Sequence, residues 1–312
     1  MKILVTYQIP RDPFLNLPRA WEIVFPEEGK ECFTEEEIIE RVGDCEVLLS
    51  IFSRPVSNAV IDAGKKLRLI SNFGVGFNNI DIAYARSKNI AVTNTPVSVC
   101  NPTAEHAMAL MLAVSRRVGE CNITLRTKKE AIWGTMRNLG HTLEGKTLGI
   151  VGMGRIGQNV AKKAEAFGMK VVYTNSKTEV LGYKRLPLED LLRTSDVVSL
   201  HVPLTPETKG LIGKAELALM RPQAILVNTS RGAVVDETAL ADHLEAGYLF
   251  GAGLDVFEKE PHIEPRLYTM PNVVLTPHVG NGTYEARVAT GVEALGNILA
   301  FFAGAPTNVV NF

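Results

Sequence analysis

The chain has 312 residues, 46% of them hydrophobic and 21% charged, and its 33 basic and 34 acidic side chains leave a net charge of −1. Near-neutrality without a basic run removes the electrostatic case for a nucleic-acid surface, and the hydrophobic content is globular rather than disordered. The length is too great for one small core and suits two domains. The N-terminus, "MKILVTYQIP", lacks the long apolar core and small-residue cleavage site of a secretory leader. No stretch is long and apolar enough to span a bilayer, so no membrane association is expected. Cys32, Cys45, Cys100 and Cys121 are scattered without a CxxC pair or metal-ligand spacing. They predict buried free thiols in a reducing cytoplasm, and no metal.

Candidate strands at 2–7, 46–50, 67–72 and 90–94 alternate with helical stretches at 34–42, 57–64 and 78–88. Thr34 and Ser57 stand as N-caps of the first two helices. Such alternation predicts a parallel sheet covered on both faces. Residues 101–128, "NPTAEHAMALMLAVSRRVGECNITLRTK", read as one long helix opened by Pro102. Its first half is apolar on nearly every face, which predicts burial all round, partly against a second copy of the chain in a homodimer. A second alternating series follows, with strands near 147–151, 170–174, 197–201, 224–228, 250–255 and 273–275. Helices lie between them near 155–167, 187–194, 213–219 and 236–246, and an amphipathic helix at 283–304 can return to the first domain. The expected division is therefore 1–99 with 283–312, and 100–282.

"TLGIVGMGRIGQNVAKKAEAFG" carries an apolar strand into Gly152-x-Gly154-x-x-Gly157 and then a helix. The first glycine permits the tight turn, the second lets backbone approach a pyrophosphate, and the third lets helix and strand pack closely. In this strand–turn–helix setting the pattern predicts a dinucleotide site. The next strand should end in a carboxylate that binds the ribose hydroxyls of NAD, but it ends in Asn175, Ser176 and Lys177. Asparagine removes the repulsion that a carboxylate would exert on a 2′-phosphate, while the hydroxyl and the lysine suit one. The expectation leans to NADP over NAD.

Three further strands deliver charge where the chain leaves the sheet: Arg231 after "AILVNTS", Asp255 and Glu260 in "GAGLDVFEKEP", and His278 in "TPHVG". The carboxyl ends of strands in an open parallel sheet are where ligands bind. Beside a nicotinamide, an arginine can grip a carboxylate bidentately. A histidine can hand its proton to a carbonyl oxygen, and a neighbouring carboxylate holds the ring and favours its charged form. That set suits reduction of a 2-keto acid.

At these residues the sequence resembles the D-isomer-specific 2-hydroxyacid dehydrogenases over essentially its whole length. The resemblance rests on "FGVGFNNID" (73–81), "VTNTPVSVCNPTAEHAMALMLA" (92–113), "LEGKTLGIVGMGRIG" (143–157), "SDVVSLHVPLTPETKGLI" (195–212), "LVNTSRGAVVDETAL" (226–240), "GAGLDVFEKEP" (251–261) and "TPHVG" (276–280). It implies an α/β fold of two doubly wound parallel-sheet domains, a Rossmann cofactor domain inserted into a flavodoxin-like substrate domain. By the same resemblance Arg231 binds substrate, His278 is the acid/base and Glu260 its partner. Asp255 looks like the nicotinamide carboxamide ligand, with Thr229 near the nicotinamide ribose. Cofactor contacts are implied at Thr103, Gly152, Gly154, Arg155, Ile156 and Gly157, at Asn175, Ser176 and Lys177, at His201, Val202, Pro203 and Thr208, and at Ser230 and Gly280. Phe52 and Ser53 resemble one substrate loop, and the backbone N–H groups of Val75 and Gly76 another. Trp133 and Met136 lie in a connection that in relatives approaches the partner subunit. The motifs look closest to the glyoxylate/hydroxypyruvate reductase and hydroxyphenylpyruvate reductase branch. A D-lactate or D-2-hydroxyisocaproate type dehydrogenase using NAD, and a non-catalytic dinucleotide-sensing binding protein, stand as alternatives.

Overall fold

In the computed structural model, which describes residues 1–51, 54–131, 133–176 and 179–312, the N-terminal apolar runs become β1 (Lys2–Val5), β3 (Val47–Ile51), β4 (Leu69–Phe73) and β5 (Ala91–Thr93). A further strand, β2 (Glu22–Val24), pairs with β1 at the sheet edge. It is only three residues long and half-exposed, within the apolar stretch 21–25 that is not among the expected strands. Between these strands lie α1 (Glu35–Val42), α2 (Asn58–Ala63) and α3 (Ile82–Ser87). The Thr34 hydroxyl accepts the Glu37 N–H at 3.3 Å while the Glu37 carboxylate takes the Thr34 N–H at 2.8 Å, closing a capping box. Ser57 caps α2 in the simpler way.

The stretch expected as one helix from 101 to 128 is two, α4 (Cys100–Ser115) and α5 (Val118–Lys128). Continuing α4 would need the Ser115 carbonyl as an acceptor for a later turn. That carbonyl is taken at 2.7 Å by the His141 N–H, and Arg117 turns left-handed with φ of 54°. α4 is buried deeply, whereas α5 buries no side chain. There follow β6 (Thr147–Val151), α6 (Arg155–Ala166), β7 (Lys170–Thr174), β8 (Lys184–Arg185), α7 (Leu188–Thr194) and β9 (Val197–Leu200). Next come α8 (Lys214–Leu219), β10 (Ile225–Asn228), α9 (Glu237–Glu245), β11 (Gly251–Leu254), β12 (Val273–Leu275) and the final α10 (Tyr284–Phe302).

Two sheets result, every pairing in them parallel: β2-β1-β3-β4-β5 and β12-β11-β10-β9-β6-β7-β8. Both are doubly wound. In the second the strand order reverses between β6 and β9, the switch point at which ligands lodge in such sheets. The chain divides into Met1–Val99 with Asn281–Phe312, and Cys100–Gly280. In the first unit, Leu4, Leu48 and Ile70 pack with Ile38, Val42, Val60 and Ile61 of α1 and α2, while Ile3, Val5, Leu49 and Phe73 pack with Ala294 and Ile298 of α10. In the second, α4 and α6 cover Leu148, Ile150 and Val227, and α7, α8 and α9 cover Val198, Leu200 and Leu226. Strand side chains alternate between faces, so one apolar run feeds both cores.

All four cysteines are free, but only Cys45 and Cys100 are buried. Cys32 is partly exposed beside the Arg54 guanidinium at 2.9 Å, and Cys121 lies on α5, the helix that buries nothing. Among the described residues no helix is long and apolar enough to cross a membrane.

The C-terminal tail is sewn to β5. Asn311 accepts the Val92 N–H at 2.8 Å and donates to the Ile90 carbonyl at 2.9 Å, all in a buried setting. Replacing Asn311 by Ala strands a buried donor and acceptor, so an Asn311→Ala variant should lose about 1–3 kcal/mol of stability. Urea denaturation checks this, and an unchanged midpoint contradicts it.

Candidate active site

β6 runs straight into the glycine turn. Gly152 adopts φ of 97°, and a Cβ there would lie 2.7 Å from the His201 carbonyl carbon and oxygen, so only glycine fits between the ends of β6 and β9. A Cβ on Gly157 would lie 2.4 Å from the Gly152 oxygen, which is how α6 comes so close to its strand. Gly154, the N-cap of α6, has open space around its would-be Cβ and no side-chain cap. The N–H groups of the first turn, Arg155 and Ile156 among its residues, are thus left for an anion. Two polar atoms at neighbouring strand ends, Thr229 Oγ1 and His201 Nδ1, are buried without a partner among the described residues. A cradle of this shape, with orphaned polar atoms beside it, fits a dinucleotide with its pyrophosphate on α6.

His201 also shares a hydrogen bond of 2.8 Å with Ser199, and burial pushes its pKa down to about 4, so the ring is neutral near pH 7. The Val202 side chain would meet a Gly152 Cβ at 2.9 Å. Beyond it the chain is pinned by Thr208, whose hydroxyl donates to the Pro203 carbonyl at 2.6 Å and accepts the Thr205 N–H at 2.8 Å. At the end of β7, Asn175 Oδ1 accepts the Met153 N–H of the glycine turn at 2.6 Å. The adjoining carbonyls of Asn175 and Ser176 face Arg185, at 2.6 and 3.4 Å from its Nη2. Lys177 lies outside the described residues.

The three charged strand ends each have a polar anchor. Asn228 shapes the turn carrying Arg231: its Oδ1 accepts from the Ser230 N–H and hydroxyl at 3.0 and 2.8 Å, and its amide donates to the Arg231 carbonyl at 3.0 Å. Gly232 follows, where a Cβ would sit 1.8 Å from the Phe257 carbonyl carbon, so this turn and the one after β11 touch backbone to backbone. Arg231 donates Nη1 to the Ser230 carbonyl at 2.7 Å. Desolvation by burial lowers its pKa, and the charge of Glu260 opposes that.

Asp255, only 1% exposed, anchors the turn that presents His278. It accepts from the Thr276 hydroxyl at 2.6 Å and from the Val279 and Gly280 N–H groups at 2.8 Å each, and His106 Nε2 lies 3.2 Å away. Burial acts to raise its pKa, but the hydrogen bonds from His106, Thr276 and Val279 outweigh it and hold the carboxyl below its usual value. Thr103 of α4 borders the same turn, with Oγ1 at 3.8 Å from a would-be Gly280 Cβ. His278 is left-handed, φ 54°, and its Nδ1 meets Glu260 Oε2 at 2.9 Å. Burial also acts to raise Glu260, yet His278, the Phe257 N–H and the charge of Arg231 hold it below the usual 4.5. Its contribution to stability is therefore present above about pH 4.5 and is lost as the pH falls through the lower folded value.

The loop bearing Glu260 is held from beneath by Glu237, whose buried carboxylate accepts the Glu258 N–H and, at 3.2 Å, the Glu264 N–H. Burial raises the pKa of that carboxyl. His106, Asn228, Glu237 and Arg185 were not singled out from the sequence. A histidine on the all-apolar α4 was the one available signal; the others look like ordinary surface or cap residues.

In the N-terminal unit, Asn72 donates to the Gly76 carbonyl at 2.8 Å and Asn94 to the Val75 carbonyl at 2.8 Å. Their carbonyls are thus turned into the unit. Asn79 braces the neighbouring loop through the Ile51 and Arg54 carbonyls, both at 3.2 Å. Phe52 and Ser53 lie outside the described residues. Trp133 and Met136 are exposed, 86% and 80%.

Comparison with known proteins identifies the family. Residues 108–280 match the family model described as D-isomer specific 2-hydroxyacid dehydrogenase, NAD binding domain. The chain is 42% identical to a glyoxylate reductase of Thermococcus litoralis, over 99% of this chain and 96% of that protein. A crystal structure of a Thermus thermophilus protein superposes with a TM-score of 0.92 at 42% identity, covering 99% and 100% of the two chains. An NADPH-dependent glyoxylate/hydroxypyruvate reductase of Sinorhizobium meliloti, solved with NADP and malonate, gives 0.85 at 31% identity over 99% and 96%. The chain belongs to the D-isomer-specific 2-hydroxyacid dehydrogenases and is an NAD(P)-dependent oxidoreductase.

Proposed function

We propose that the protein reduces a 2-keto acid of the glyoxylate or hydroxypyruvate type to the D-2-hydroxy acid, with NADPH preferred over NADH. The observation that carries this reading is the 2.9 Å contact between His278 Nδ1 and Glu260, in the same unit as Arg231, whose charge Glu260 feels. The names of the Thermococcus and Sinorhizobium relatives support the substrate class. A bound nicotinamide supplies the hydride to the carbonyl carbon.

Arg231 holds the substrate carboxylate with guanidinium nitrogens that have no partner among the described residues apart from Nη1. With Nδ1 committed to Glu260, His278 delivers its proton from Nε2 to the carbonyl oxygen, which becomes the hydroxyl. Glu260 steadies the imidazolium before transfer and the ring orientation after it. In the opposite direction the neutral imidazole takes that proton back. The glycine turn would hold the cofactor, with Thr103, Thr229, Ser230, Asp255 and Gly280 beside its nicotinamide half and His201, Val202, Pro203 and Thr208 flanking the turn, as the resemblance implies. For the cofactor, the carboxylate-free end of β7 favours a 2′-phosphate. The four free thiols accord with a cytoplasmic enzyme.

The purified protein should oxidise NADPH in the presence of glyoxylate or hydroxypyruvate, and a His278→Ala variant should lose about 10²–10⁴-fold in kcat while still binding cofactor by fluorescence titration. Near-normal turnover in that variant would remove His278 from the chemistry. We also assign a homodimer, with α5 at the contact: Val118, Ile123 and Leu125 stand exposed on a helix that buries nothing within its own chain. Sedimentation at micromolar concentration should give a dimer, and a well-behaved monomer refutes the assignment.

A further inference from the structure

We propose that Arg185, ten residues beyond the strand end where a cofactor-selecting group is normally sought, is the residue that recognises the 2′-phosphate of NADP. The inference rests on the NADPH preference proposed above and adds the side chain that produces it. β8 pairs in parallel with β7, placing Arg185 opposite Tyr173. From there the side chain reaches along the sheet to the end of β7, where Nη2 donates to the Asn175 carbonyl at 2.6 Å. β7 adjoins β6, so its carboxyl end is where the adenine ribose of a bound dinucleotide lies in this fold. Asn175 is itself bound to the glycine turn through Oδ1, so the guanidinium is moored next to the cofactor loop by main chain rather than by an acid.

Arg185 makes its hydrogen bonds to neutral carbonyls. Among the described residues no carboxylate pairs with it, whereas Arg117, Arg221 and Arg266 all pair with acids. A guanidinium carries five donors, and Nε and Nη1 of Arg185 have no partner among the described residues. Held by a neutral carbonyl, it keeps its full charge and most of its donors for an anion, and a phosphomonoester matches that fork well. A ribose hydroxyl gains far less from it. The same bond has a purely structural reading, as a staple between β8 and the end of β7. Loss of a staple would disturb both cofactors alike, and that difference decides the test.

Binding separates the readings without turnover. Calorimetric titration of the full chain with 2′,5′-ADP and with 5′-AMP should show the 2′-phosphate tightening binding in the wild type. In Arg185→Ala the ratio of the two affinities should fall by about tenfold or more, a loss of roughly 1.4 kcal/mol per tenfold, with the loss falling on 2′,5′-ADP. Arg185→Lys should give an intermediate ratio because an ammonium lacks the planar fork. A wild type that does not favour 2′,5′-ADP ends the NADPH reading and the inference together. A wild-type preference that survives Arg185→Ala, or equal weakening of both nucleotides, overturns the role of Arg185 alone.

Discussion

A carboxylate sealed from water must be surrounded by donors or give up its charge. Asp255 is the point where this constraint shapes the active site, because its donors are the two N–H groups just after His278 and the Thr276 hydroxyl just before it. Satisfying one buried charge therefore fixes the turn that holds the histidine, left-handed backbone included. His106 closes the arrangement from α4. Remove the charge, and the turn has little reason to keep its shape.

The same device recurs with other chemistry in the adjoining loops. Glu237 gathers the backbone around Glu260 by accepting two N–H groups, though burial raises its pKa where donors lower that of Asp255. A neutral asparagine, Asn228, does the equivalent for Arg231. Each residue read as chemical is thus positioned by a second polar residue, Asn228 and Asp255 at strand ends and Glu237 at the start of α9, and the contact of Gly232 with Phe257 locks two of these loops together. A side chain that acts on substrate is kept to one orientation by a neighbour that never needs to reach it.

Sequence reasoning reads what is written locally. The glycine turn, the caps at Thr34 and Ser57 and the buried parallel strands follow from spacing and residue type, and the structure has them. Arg231, Glu260 and His278 stood out because charge after an apolar strand is conspicuous, and the family resemblance then supplied their roles. What was missed depends on partners distant in the chain. The break between α4 and α5 is made by His141 capturing a carbonyl 26 residues back, from Ser115. β8 exists because an edge was available to pair with, not because its residues, a lysine and an arginine, are apolar. Arg185 reads as a surface charge until β8 is laid beside β7. The expectation that all four cysteines are buried failed at Cys32, beside Arg54, and at Cys121, on a helix with no fully buried residue.

The interrupted layout of the first unit bears on how the chain folds as it is made. Residues 100–280 form one uninterrupted α/β unit and can close as soon as they emerge, since nothing in that unit's cores comes from either end of the chain. The five-stranded sheet is different. Its strands are complete by residue 93, but the face bearing Ile3, Leu49 and Phe73 waits for α10, which begins at residue 284. At the roughly 5–20 residues added per second in synthesis, that face stays uncovered for on the order of ten seconds or more. The nascent protein thus carries a finished second unit beside an unfinished first one, and its open apolar sheet is the surface for a chaperone to guard.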